Sequence, residues 1–199
     1  GLSAAKKLSN DVSIKAIENY TEEKTKVQLL VEEYKSAEAT DIRRKEIRDQ
    51  LQNDYPNYFG NLKTEKEFVE GLDAAYTNWA KALLLKAKVQ AASSIISENE
   101  STALKFELET QQELLDKFGV DNVNKLPEGK FKELAKSFIA RRQGEADAMR
   151  DANNILAKTI FESNKEIGNL GGDPNGGKEK TGDTKKGGAS KKVAQAKDD

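Results

Sequence analysis

Cysteine and histidine are both absent from this chain of 199 residues. Their absence excludes thiolate nucleophiles, disulfide bonds, most zinc sites and the side chain that most often serves as a general base near neutral pH. Catalysis would have to depend on carboxylates, lysines or hydroxyls alone. We find no arrangement of these groups that is typical of a catalytic, cofactor-binding or metal site, and we therefore predict none of the three and no enzymatic activity.

Hydrophobic residues are also scarce, at 36% of the chain, whereas charged residues make up 34%. The 33 basic residues nearly balance the 34 acidic ones, so no strong field attracts nucleic acid or an anionic membrane. The longest apolar run, residues 82–85, is far shorter than the ~20 residues that a membrane span needs. We expect neither a nucleic-acid partner nor stable membrane insertion.

Proline occurs only three times, and long stretches between the prolines have helical patterns. The patterns predict helices over residues 11–37, 42–53, 64–117 and 128–167. The third stretch contains one glycine and would form a rod of roughly 80 Å at 1.5 Å per residue. The sequence thus predicts an all-α fold, an elongated antiparallel helical hairpin or bundle with long coiled-coil-like helices.

Two regions differ sharply in composition. Residues 1–168 carry the helical patterns and form one elongated α-helical domain in this interpretation. Residues 169–199 are rich in glycine and lysine, and after Leu170 the sole large aliphatic residue is Val193. Such a composition supplies no core, so we predict a flexible linker there.

The break at residues 53–62 concentrates aromatic residues around a proline, which bars Tyr55 from a helix. Thr64 and Glu67 then have the spacing of a capping box that starts the long helix. We predict that the break and the start of this helix supply the packing and interaction residues Tyr55, Pro56, Tyr58, Phe59, Phe68, Tyr76, Trp79 and Leu83. A plug at the end of the hairpin is the favoured interpretation, and a ligand pocket is the alternative.

An apolar seam follows the long helix from Val69 through Trp79 to Ala87 with a period near 3.5 residues. The serine-rich stretch at residues 93–102 interrupts this pattern and predicts a bend. The pattern leaves open whether the long helices pair only within one chain or also associate with other copies.

Charged clusters have simpler explanations than sites. Paired carboxylates such as Glu32 and Glu33 lack the histidine that helical dicarboxylate iron sites use. The basic stripe at residues 43–48 contains its own acids, which favours ion pairs on an exposed face over phosphate binding. The sole methionine is Met149, and we interpret the chain as an excised fragment or a processed product.

The segment from Tyr55 to Leu62, followed by Thr64, Glu65 and Lys66, resembles tail tape measure proteins of phages and prophages of Bacteroidetes-type bacteria. The resemblance covers about residues 32–97 and consists of a helix, an aromatic break and a long helix rich in alanine, lysine and leucine. It implies an internal helical segment of such a protein, which acts in tail assembly and sets tail length. Its location would be the virion tail, assembled in the host cytoplasm, and its partners would be copies of itself or other tail proteins.

A second hypothesis is a secreted or periplasmic helical protein, such as an adhesin or a secretion-system component. Such a protein would bind its partner through the apolar seam around Tyr76, Trp79 and Leu83. Removal of a signal peptide would then explain the missing start methionine.

Truncation of Trp79 to Ala tests whether this seam is core. If the indole is buried, we expect the free energy of unfolding to fall by ~3 kcal/mol, because the lost contacts leave a cavity. Thermal or urea unfolding of both proteins measures the change. An unchanged melting temperature would contradict a packing role.

Overall fold

The computed structural model describes residues 2–176. Its helices are α1 (Leu2–Lys35), α2 (Asp41–Asp54), α3 (Pro56–Phe59), α4 (Glu65–Phe118) and α5 (Lys130–Leu170), with a 3₁₀ turn at Val123–Lys125. No strand is found in this described part of the chain, and the prediction of an elongated all-α fold is confirmed. Helix α4 alone has 54 residues, which corresponds to roughly 80 Å.

Helices α1 and α5 both run antiparallel to α4 and pack against it. In each pair of helices, residues with higher numbers in one helix contact residues with lower numbers in the other. The contacts that set this direction for α5 are Glu113 with Arg142 at 3.2 Å and Asn99 with Asn153 at 3.0 Å. For α1 they are Lys15 with Glu98 at 3.2 Å and Lys35 with Asp73.

Three helix ends are fixed by capping groups, one of which is the predicted capping box at Thr64. The Thr40 hydroxyl accepts a hydrogen bond from the Arg43 N–H at 3.1 Å, and the Thr64 hydroxyl accepts one from the Glu67 N–H at 3.1 Å. Gly119 ends α4 in the left-handed conformation with φ of 73°. Each cap satisfies a backbone group that the helix itself leaves without a partner.

The core is divided into three clusters along the hairpin. The base cluster joins α1, α2, α3 and the first turns of α4 around Trp79. The middle cluster packs small side chains of α4, such as Ala87 and Ala91, between α1 and Leu156 of α5. The tip cluster, around Leu114, Phe118 and Ala135, belongs to α4 and α5 and the loop between them. The α4–α5 hairpin therefore has a core at both of its ends.

Several predicted boundaries differ from the structure. Helix α1 begins at Leu2 instead of residue 11, since Leu8 and Val12 already pack against the middle cluster. Residues Pro56–Phe59 form one helical turn where only a turn was expected, with the proline at the first position, which suits its fixed φ. Helix α5 continues to Leu170, which lies in the predicted linker but packs against the base cluster.

The predicted seam is also shifted by one residue at its start. Val69 is 59% exposed, and Phe68 takes the buried position instead. The serine-rich stretch, where a bend was predicted, is part of one continuous helix in which Ala92 and Ile95 are buried. Ser93 and Ser94 face solvent, so their low helix propensity does not interrupt the helix.

A polar layer crosses the α4–α5 interface at Asn153, which is buried. Its amide nitrogen donates to a carboxylate oxygen of Glu100 at 2.9 Å and to the Ile96 carbonyl at 3.4 Å. Its amide oxygen accepts a hydrogen bond from Asn99 at 3.0 Å. These bonds form in one alignment of the two helices, so Asn153 helps to define their register.

Replacement of Asn153 by Ala should lower the free energy of unfolding by about 1–3 kcal/mol, because the buried bonds of its amide are lost. The matched control is Asn154→Ala on the neighbouring, exposed position, where the change should be within about 0.5 kcal/mol. Urea unfolding of the three proteins gives both differences. Equal effects of the two substitutions would show that Asn153 does not determine the pairing.

Candidate functional site

The structure brings all eight predicted interaction residues to the base of the hairpin. Six of them are buried, namely Tyr55, Tyr58, Phe59, Phe68, Trp79 and Leu83. Tyr76 packs against this cluster while partly exposed, and Pro56 begins the short helix α3. The break and the long helix, which the sequence linked only by composition, therefore form one packed unit.

Trp79 lies at the centre of this aromatic base and is fully buried. Its ring centroid is 5.0 Å from that of Tyr55 and 6.1 Å from that of Tyr76. On the other side of the cluster, Tyr34 of α1 meets Phe68 edge-on at 5.0 Å. Tilted and edge-on contacts of this kind stabilise aromatic pairs beyond their buried area.

The loop between α3 and α4 is held against this base by two further contacts. The Gln52 amide donates to the Leu62 carbonyl at 2.6 Å and to the Phe59 carbonyl at 3.3 Å. The Leu62 side chain lies against Gly71, where an added Cβ would come within 2.5 Å of it. The absence of a side chain at residue 71 thus lets the loop approach α4 closely.

A short segment closes the aromatic base from the other side. Residues 171–176, which we call the strap, follow α5 and turn back across α3 and α4. Gly171 and Gly172 have φ of 146° and 99°, conformations that favour glycine over other residues. Pro174 is fully buried in the resulting contact.

Three side chains of the base donate hydrogen bonds to backbone carbonyls of the strap. The Trp79 indole nitrogen donates to Pro174 at 3.1 Å, and the Tyr58 hydroxyl donates to Gly172 at 2.7 Å. The Asn57 amide donates to Asp173 at 3.0 Å. The buried indole N–H thereby obtains the partner that a tryptophan in a core requires.

Polar side chains secure the outer edge of the strap. The Lys86 amine is 2.9 Å from the Asp173 carboxylate and 2.9 Å from the Asn175 amide oxygen. The Asn175 amide also donates to Glu23 of α1. Burial raises the pKa of Asp173, but the hydrogen bond from the Asn175 N–H and the ion pair with Lys86 outweigh it, so the pKa is lowered overall.

Burial raises the pKa of four tyrosine hydroxyls of the base, those of Tyr34, Tyr55, Tyr58 and Tyr76, and the rise is largest for Tyr55 and Tyr58. Burial raises the pKa of Tyr58 to about 12, with a smaller contribution from the charge of Asp173. Burial likewise raises the pKa of Tyr55 to about 12, aided by Glu23 and Asp54. Neither hydroxyl is therefore suited to act as a base near neutral pH.

The aromatic base does not have the geometry of a ligand pocket. One cavity beside it, lined by residues that include Leu83, Lys86 and Asn175, has a volume of about 100 Å³, and another, lined by Tyr34 and Arg44, has a volume of about 230 Å³. Pockets for small molecules usually enclose about 300 Å³ or more. Because the indole, the hydroxyl of Tyr58 and the Lys86 amine already bind the strap, the arrangement favours packing over recognition of a ligand.

Sequence reasoning missed the strap and its partners Asn57 and Lys86. Residues 171–176 read Gly-Gly-Asp-Pro-Asn-Gly, in which every residue type is common in turns. We assigned these residues to the flexible linker, and the structure instead packs them against the base. The rest of that predicted linker, residues 177–199, lies outside the described part of the chain.

Within residues 2–176, no helix combines the length and apolarity needed to cross a membrane. The same residues contain no group of three acidic side chains placed to hold a metal ion. No protein-family model matches the chain, and comparison with curated proteins and with solved structures gives no significant match.

The raised pKa values predict how the base responds to alkaline pH. Below pH 10 these tyrosines are neutral in both the folded and the unfolded chain. Between pH 10 and about 12 these two tyrosines ionise mainly in the unfolded chain, so the free energy of unfolding should fall as pH rises. Tyr58→Phe removes one of these groups, so the free energy of unfolding of this variant should fall less steeply over this range. Urea unfolding at several pH values measures both slopes.

The difference between the two proteins isolates the contribution of Tyr58, because they share every other titratable group. The chain has five tyrosines, so the pKa of Tyr58 is obtained from the difference in tyrosinate absorbance between folded wild type and folded Tyr58→Phe. Parallel pH dependence of wild type and Tyr58→Phe would contradict the assignment.

Proposed function

We propose that the chain is a structural, non-enzymatic helical segment of a phage tail tape measure protein that acts in tail assembly. The observation that carries this proposal is the pair of antiparallel helices α4 and α5, of 54 and 41 residues, held at the base by the aromatic cluster and the strap. Residues 55–62, on which the resemblance to these proteins rests, supply much of that base. The polar groups of the base and of the strap bind one another. This arrangement supports a structural role over a catalytic one.

The hairpin also limits how such a segment can contribute to tail length. The hydroxyl of Tyr58 lies 2.7 Å from the carbonyl of Gly172, so the chain between them returns to its starting point. A linear ruler would gain about 1.5 Å for every residue. We propose that this segment contributes to length as a folded block of fixed height, with copies of itself or other tail proteins as its partners.

A second candidate is a secreted or periplasmic helical protein that binds a partner. The exposed apolar side chains Phe131 and Leu134, which are 52% and 63% accessible, favour it. The seam around Trp79 and Leu83 is buried, so a partner would have to bind elsewhere on the surface.

A matched deletion in the gene that encodes the chain tests the main proposal. Removal of residues 104–110 together with 145–151 takes one heptad from each arm and deletes the ion pair between Glu107 and Arg150 as a whole. The hairpin should shorten by about 10 Å and keep its register, because each arm loses 7 × 1.5 Å. We expect phages carrying this gene to assemble tails, whereas removal of 145–151 alone should block assembly.

Mass spectrometry of purified tails should detect peptides from α4, and electron microscopy gives tail number and length. Absence of these peptides from tails, with the protein found in the periplasm or the medium, would overturn the proposal in favour of the second candidate. Normal assembly with the unmatched deletion would show that the hairpin has no role in it.

A further inference from the structure

A groove on the tip of the hairpin stands apart from the aromatic base. It has a volume of about 390 Å³ and is lined by Lys117 and Phe118 of α4 and by Leu134, Ser137, Phe138 and Arg141 of α5. We call it the tip groove. Leu134 in its wall is 63% exposed, and the adjacent Phe131 is 52% exposed. Large apolar side chains that lie together in solvent commonly mark an interaction surface.

The floor of the tip groove is firmly packed. The ring of Phe118 lies 5.0 Å from that of Phe131 and 6.0 Å from that of Phe138, measured between centroids. Behind these rings, Leu114 and Ala135 are buried in the tip cluster. A partner would therefore meet a preformed surface and would not have to order it on binding.

The tip groove and helix α1 use neighbouring parts of the α5 surface. Nearer the base, Val12 and Ser13 of α1 line one cavity with Ile155 and Thr159 of α5. Leu134 and Phe138 precede Ile155 and Thr159 by 21 residues, which at 3.6 residues per turn falls about 60° short of a whole number of turns, so the two pairs lie on neighbouring parts of the α5 surface. Helix α1 thus shows which kind of element fits this surface.

The charges around the tip groove favour a partner with acidic side chains. Two of its lining residues, Lys117 and Arg141, are cations, and none is a carboxylate. The nearest acid in contact, Glu113, lies 3.8 Å from Lys117 and already pairs with Arg142 at 3.2 Å. A second copy placed symmetrically on this groove would bring like charges together, which disfavours self-association here.

We propose that the tip groove binds an acidic amphipathic helix of another protein. Its apolar face would cover Leu134, Phe138 and Phe131, and its carboxylates would pair with Lys117 and Arg141. Binding at the tip does not depend on membership of a phage tail, so it can be tested on the isolated chain.

Three synthetic peptides of 21 residues test the proposal. They share one leucine face and carry glutamate, glutamine or lysine on the polar face. Fluorescence anisotropy of the labelled peptides with the full chain should give at least about tenfold tighter binding for the glutamate peptide than for the lysine peptide at low salt. Leu134→Gln and Arg141→Gln should each weaken binding of the glutamate peptide several-fold.

The matched control is Phe161→Gln, which removes an exposed aromatic residue of the same helix outside the tip groove and should leave binding unchanged. Equal melting temperatures of the variants show that they are folded. Equal affinity for the three peptides, or equal loss with Phe161→Gln, would overturn the proposal. So would a concentration-dependent dimer in sedimentation that Leu134→Gln abolishes, because the occupant would then be a second copy.

Discussion

Burial of Trp79 is the constraint on which the rest of the structure depends. An indole in a core must pack its rings and also find an acceptor for its N–H group. The rings come from Tyr55 and Tyr76, and the acceptor is the Pro174 carbonyl, which is 95 residues further along the chain. One side chain therefore fixes the position of the break, of the start of α4 and of the chain after α5. The antiparallel course of α4 and α5 is what allows these segments to meet.

Between base and tip, the hairpin depends on small and polar contacts more than on large apolar ones. Alanines of α4 allow α1 and α5 to approach closely, and the bonds of Asn153 accept only one alignment. Such an interface gains less hydrophobic stabilisation than one of large apolar side chains, but it defines the register of the helices. A spacer benefits from this, because its height is constant only if its arms cannot slide. The interior of the hairpin and its proposed mechanical role therefore have one physical basis.

Much of the fold could be read from local signals. Thr40, Thr64 and Gly119 mark helix ends because capping is a property of a few neighbouring residues. The core position at the start of α4 could not be assigned in the same way. Val69 fitted the period as well as Phe68 did, and only the direction from which α1 packs, with Tyr34 against Phe68, selected between them. Phe131 shows the same limit, because an aromatic side chain suggests burial whereas the structure leaves it half exposed.

By itself the sequence determined that the chain is helical, that its helices are long and that aromatic residues gather at one break, because helix propensity, capping and periodicity act over a few residues. Which residues meet across the chain was decided only by the tertiary structure. The strap illustrates the difference. Its Gly-Gly-Asp-Pro-Asn-Gly composition suits a linker as well as a turn, and it is ordered because Trp79, Tyr58 and Asn57 present donors at the spacing of its carbonyls. That spacing arises from the packing of the helices and cannot be predicted from any local stretch of the chain.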